Sequence, residues 1–109
     1  MKFGLEQKDF VEILGIAAQF QEIEKIILFG SRAKGNHQKG SDIDLAIFGK
    51  KITQNTLVKL SEKLNSESML PYFFDILIYA NINNNELKEH IDRVGKIILE
   101  KTKLNHKTN

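Results

Sequence analysis

A short apolar block runs into a glycine–serine pair and, one loop later, into two aspartates that share a strand face. Lys25-Ile26-Ile27-Leu28-Phe29 is β-branched and aromatic, the make-up of a buried strand, and it stops at Gly30-Ser31. Ser31-Arg32-Ala33-Lys34 predicts a short helix closed by Gly35, and the polar loop 36–40 leads to Ser41-Asp42-Ile43-Asp44-Leu45-Ala46-Ile47. Residues 42–48 set Ile43, Leu45 and Ile47 on one side, the period of a half-buried strand. Side chains two apart leave a strand together, so Asp42 and Asp44 point one way while Ile43 and Leu45 enter the core.

Around this segment the chain reads as helices and one more strand. Phe10, Ile13, Leu14, Ala17 and Ala18 recur at helical spacing over 7–20, with Gly15 the weak point. Thr53 is placed to cap a helix whose stripe is Leu57, Leu60 and Leu64, ending near Ser66. Pro71 turns the chain, and Phe73-Phe74-Asp75-Ile76-Leu77-Ile78-Tyr79 is the third strand. Asn83 with Glu86 resembles a capping box, and Leu87, Ile91, Val94 and Ile98 trace one face of a long last helix. The polar tail 101–109 is expected to fray. The order predicts an α/β (α+β) fold, a small mixed β-sheet with helices packed on it, as a single domain over 1–109.

Composition narrows the function. The 109 residues carry a net charge of only +2, and the basic residues beside the aspartates are Arg32, Lys34 and Lys39, so nucleic acid is not the expected partner. No cysteine is present, which excludes disulfides, thiol catalysis and cysteine-based zinc sites and suits a reducing cytosol. No signal peptide is evident and no apolar run approaches the ~20 residues of a membrane span. A cytoplasmic protein is expected. There is no room for a second lobe, so a bulky acceptor would bring its own surface.

The Gly-Ser turn has two readings. Free N–H groups at a helix start favour an anion, Gly30 has no Cβ to obstruct a phosphate, and Ser31, Arg32 and Lys34 can add a hydroxyl and charge. Alternatively Ser31 only caps the helix. The aspartates also have two. Carboxylates ~4 Å apart repel by about 4 kcal/mol at a dielectric near 20, and a divalent cation such as Mg²⁺ relieves this. Alternatively both lie on a solvated strand face. Asp75, the sole charged residue in 73–79, is either a metal ligand or general base beside Asp42 and Asp44, or a strand-end group reaching solvent. An EF-hand fails at Ala46 and Thr53, a Walker A loop lacks its lysine before Ser41, and no dinucleotide glycine pattern follows either early strand. His37 reads as a solvated loop residue, with a phosphate contact the alternative. His90 and His106 are given no role.

Gly30-Ser31, a short helix and loop, Asp42-x-Asp44 and a later strand aspartate, Asp75, together resemble the DNA polymerase beta-type nucleotidyltransferase superfamily. In its shortness the chain is similar to the minimal nucleotidyltransferases (MNT proteins) of prokaryotes. The resemblance covers 27–79, with the last helix matching in kind. It implies a polymerase beta palm-like fold and transfer of a nucleoside monophosphate from a triphosphate to a hydroxyl. By the resemblance, Ser31 and the Gly30 backbone bind the β- and γ-phosphates of ATP. Asp42 and Asp44 hold two Mg²⁺ ions, and Asp75 binds the catalytic metal and helps deprotonate the acceptor. Arg32 matches a basic residue that often follows Gly-Ser, and Lys34 a less constant one. MNT proteins are typically paired with helical HEPN toxins and can add AMP to a tyrosine of that partner, so an antitoxin is implied. The rivals are a non-catalytic binder of the same fold, and transfer to a small molecule or RNA end. A homo-oligomer is left open.

Overall fold

A computed structural model of the chain describes residues 2–101. Among them, strands β1 (Lys25–Phe29), β2 (Ile43–Phe48), β3 (Phe74–Ile78) and β4 (Lys96–Glu100) make one sheet in the order β3-β2-β1-β4. β1 runs antiparallel to both β2 and β4, while β2 and β3 are parallel, so the sheet is mixed. The helices are α1 (Gln7–Ala18), α2 (Ser31–Lys34), α3 (Gln54–Glu62) and α4 (Asn85–Val94). Parallel neighbours require a crossover, and α3 supplies it between β2 and β3.

Period-two alternation decides what each sheet face meets. Ile26, Leu28, Ile43, Leu45, Ile47, Phe74 and Ile78 pack with Ile13 and Ala17 of α1 and Leu60 of α3. Ile27, Phe29 and Ala46 turn to the other face, where Ile91 and Leu87 of α4 cover them. Each fully buried isoleucine or leucine contributes about 1.5–3 kcal/mol, so both layers are firmly seated. Asp44 and Asp75 belong by parity to the α4 face, at its open end.

Two local features hold this frame. Thr53 caps α3 as expected, accepting from the Thr56 N–H at 3.3 Å. Beyond α3 a π-helical turn, Lys63–Glu67, presents Asn65 to the outer edge of β3. Its Oδ1 accepts from the Phe74 N–H at 2.7 Å and its Nδ2 donates to the Phe74 carbonyl at 3.0 Å. Both backbone groups at the start of an edge strand are thereby satisfied.

The C-terminal third corrects the sequence reading. The long last helix stops at Val94, and Ile98 lies on β4, paired along β1. Gly95 makes the break: a Cβ there would strike the Ile91 carbonyl and Ile27 Cγ2, so α4 ends pressed on β1. The helix cap is Asn84, whose Oδ1 accepts from the Leu87 N–H at 3.1 Å, and not Asn83. Any of three successive asparagines satisfies the local rule, and the turn from β3 selects the middle one. Lys101 is tied down, donating from its backbone to the Glu24 carbonyl at 2.9 Å and from Nζ to the Phe20 carbonyl at 2.7 Å. The rest of the tail expected to fray, 102–109, lies outside the described residues. No helix among the described residues is long and apolar enough to cross a membrane.

Candidate active site

The parallel pairing of β2 and β3 sets Asp44 directly beside Asp75, and the Ile43 N–H bonds the Phe73 carbonyl at 2.9 Å to lock that register. Asp42 stands just ahead of β2, exposed like Asp75, while Asp44 is half-buried. On its other side Asp44 pairs with Phe29, which brings it against Gly30. Gly30 has φ +78° and ψ −156°, a conformation open essentially to glycine, and a Cβ there would collide with Asp44 Oδ2. Two independent constraints therefore demand glycine at this position.

The electrostatics follow from this crowding. Burial pushes the Asp44 carboxyl up from the ordinary 3.8 to about 6, helped by the charges of Asp75 and Asp42 and opposed by Arg32. Asp44 thus feels two neighbouring negative charges at the end of two strands. Among the described residues no group of three His, Cys, Asp or Glu side chains is arranged to hold a metal by itself. The carboxylates are neighbours on one face without closing a cage.

Ser31 opens α2 immediately after Gly30, and Lys34 ends that helix with its side chain exposed. Arg32 turns inward and is only 3% exposed. Its Nη1 donates to the Phe3 carbonyl at 2.8 Å, and its Nε and Nη2 donate to the Ser41 carbonyl at 3.1 and 2.8 Å. The guanidinium also lies over the Tyr72 ring, 5.3 Å from its centroid. Its donors are thus spent on the backbone of Phe3 and of Ser41, the residue just before Asp42, and it reaches Asp44 through its field alone. His37 is packed against the Gly4 turn, with its Nδ1 buried, instead of solvated as its loop position suggested.

His90 is the site neighbour that sequence reasoning passed over. It projects from α4 so that its Nε2 accepts from the Gly30 N–H at 3.2 Å. The available signal was its place on the flank of the Leu87–Ile91 stripe, where a polar side chain borders a buried face. Beside Asp75, a groove of about 340 Å³ runs between β3 and α3, lined by Gln54, Leu57, Phe73 and Ile76 among others. Phe73 is 58% exposed at its mouth.

The family model for polymerase beta nucleotidyltransferases matches residues 12–104. The chain belongs to this family. Over 75 residues it is 37% identical to the "Probable protein adenylyltransferase MntA" of Haemophilus influenzae, a stretch that is 69% of this chain and 65% of that relative's length. Its fold is similar to that of a chain in a crystal structure of a toxin–antitoxin with AMP-PNP, with a TM-score of 0.67 and 22% identity over 95% of this chain and 80% of the other. A tri-AMPylated Shewanella oneidensis HEPN toxin in complex with MNT antitoxin gives a TM-score of 0.66 at 20% identity, over 95% and 79% of the two chains. At these identities the likeness is one of fold, and the mixed four-stranded sheet with its helices is the nucleotidyltransferase architecture.

Proposed function

We propose that this nucleotidyltransferase domain transfers AMP from ATP to a tyrosine hydroxyl of a helical HEPN-type protein and thereby silences it. The observation that carries the reading is Asp44, held between Gly30 and Asp75 with its carboxyl raised to about 6 by burial and like charge. Such crowding is costly unless positive charge arrives with the ligand. The matched relatives, a probable protein adenylyltransferase and an AMPylated HEPN toxin with its MNT antitoxin, support AMP as the transferred group and a HEPN-type protein as its acceptor.

The donor set fits Mg²⁺: three carboxylates are hard oxygen ligands, and their mutual repulsion is what a divalent cation relieves. Bound Mg²⁺, held by Asp42, Asp44 and Asp75, would supply positive charge against the charge developing on the phosphates. The chain's own groups do the positioning. The missing Cβ of Gly30 lets the Asp44 carboxylate close up against the turn, the Gly30 N–H is engaged by His90, and the Ser31 hydroxyl and opening α2 amides receive phosphate oxygens. Arg32 acts by anchoring Ser41 and so the entry to Asp42, while Lys34 adds charge from the helix end. The groove beside Asp75 offers an aromatic acceptor a seat. There the tyrosine oxygen attacks the α-phosphorus, its proton passes to Asp75, the bond to the β-phosphate breaks, and pyrophosphate leaves.

The test is incubation with labelled ATP, Mg²⁺ and a HEPN-type partner, with the modified residue located by mass spectrometry. A labelled tyrosine on the partner is expected from wild type and none from Asp42→Asn or Asp44→Asn. An unlabelled but still neutralised partner would show that the chain acts by contact alone.

A further inference from the structure

We propose that His90 is a positioning residue for the nucleotide turn: through Nε2 it holds the Gly30 N–H and thereby sets how the Gly30-Ser31 segment faces the phosphates. This rests on the nucleotide-binding reading above and names the group that maintains that site. The bond, 3.2 Å long, joins residues 60 positions apart and ties α4 to the end of β1. Gly30 needs such a tie. A glycine is the residue least able to hold its own conformation, and this one sits at φ +78° where the turn must be exact. Asp44 closes one side of it, because no Cβ fits between them, and the His90 ring grips it through the backbone N–H.

The imidazole is itself well supported. Phe29 meets it edge-on, with ring centroids 6.1 Å apart and planes at 79°. The next residue, Ile91, is fully buried at 0% exposure under β1, so α4 cannot slide without losing core contact. Accepting at Nε2 requires the neutral ring with its proton on Nδ1. His90 touches neither Ser31 nor the carboxylates by hydrogen bond, so it acts through Gly30.

Three variants test this: His90→Ala and His90→Leu remove the acceptor, and His90→Gln replaces it with an amide oxygen of similar reach. Each is measured for melting temperature, for binding of a non-hydrolysable ATP analogue with Mg²⁺, and for transfer kinetics. The Ala and Leu variants should weaken analogue binding and raise the KM for ATP about 5- to 10-fold, with kcat within about 2-fold, and the Gln variant should recover most of the loss. A purely structural histidine would lower the melting temperature while leaving KM alone, or make Gln no better than Leu, and either result overturns the proposal. Tighter binding by His90→Ala also overturns it, since the ring would then be occupying a phosphate position. If wild type binds no nucleotide, the site reading itself falls and takes this inference with it. If wild type binds and His90→Ala binds equally well, only the inference falls.

Discussion

Replacing Asp44 by asparagine should make the protein more stable and inactive at once. The half-buried Asp44 carboxyl titrates near 6 in the folded chain instead of at the ordinary 3.8, because of burial, Asp75 and Asp42. A group whose folded pKa is raised binds its proton more tightly in the native state, so its ionisation destabilises the fold. The penalty is absent below about 3.8, grows as pH rises between the two values, and is complete above about 6. At full weight it would be about 3 kcal/mol, and solvent screening of a half-exposed side chain reduces it to about 1–2 kcal/mol. Asparagine keeps the shape and removes the charge. Asp44→Asn should therefore melt about 5 to 10 °C above wild type at pH 7.5 without metal. The gain should shrink through pH 6 and disappear near pH 4, and Mg²⁺ should narrow it by stabilising wild type alone. Thermal melts at pH 4, 6 and 7.5, with and without Mg²⁺, give the comparison. A variant no more stable than wild type at pH 7.5, or equally stabilised at pH 4, would refute the crowded-carboxylate account.

Three further substitutions probe the frame. Gly30→Ala places a Cβ against Asp44 Oδ2 at a glycine-only conformation, and kcat/KM should fall by about 100-fold or more; near wild-type activity would contradict the packing. Arg32→Ala takes the donor from the part-buried carbonyls of Phe3 and Ser41 and should cost about 1–3 kcal/mol in urea unfolding. Arg32→Lys should recover less than half of that, since one ammonium cannot bridge both; full recovery would point to charge and not geometry. Asn65→Ala should destabilise by about 1–3 kcal/mol and speed hydrogen exchange at the Phe74 amide, and unchanged protection there would remove Asn65 from its role at the β3 edge.

Local pattern made much of this protein legible. The runs Lys25–Phe29 and 73–79 are apolar enough to be strands wherever they fall, and the alternation at 42–48 assigns Asp44 a face before any partner is known. Gly30-Ser31 followed by a four-residue helix is likewise a short-range signal, and it appears at Ser31–Lys34 as expected. Ile98 was misread because Val94 and Ile98 sit four apart, a spacing that fits a helix, while Lys96–Glu100 is equally β-branched. Pairing with β1 decided between them, and β1 lies some seventy residues earlier in the chain.

What the amino acids determined alone is the identity of the first three strands and the turn, because burial periodicity and glycine geometry act within a few residues. What only the folded chain decided is direction. Arg32 points inward because the Phe3 and Ser41 carbonyls converge on it, and His90 meets Gly30 because α4 crosses the sheet at that height. Such contacts depend on where distant segments pass one another, and a side chain's type does not encode which of its possible partners will be there.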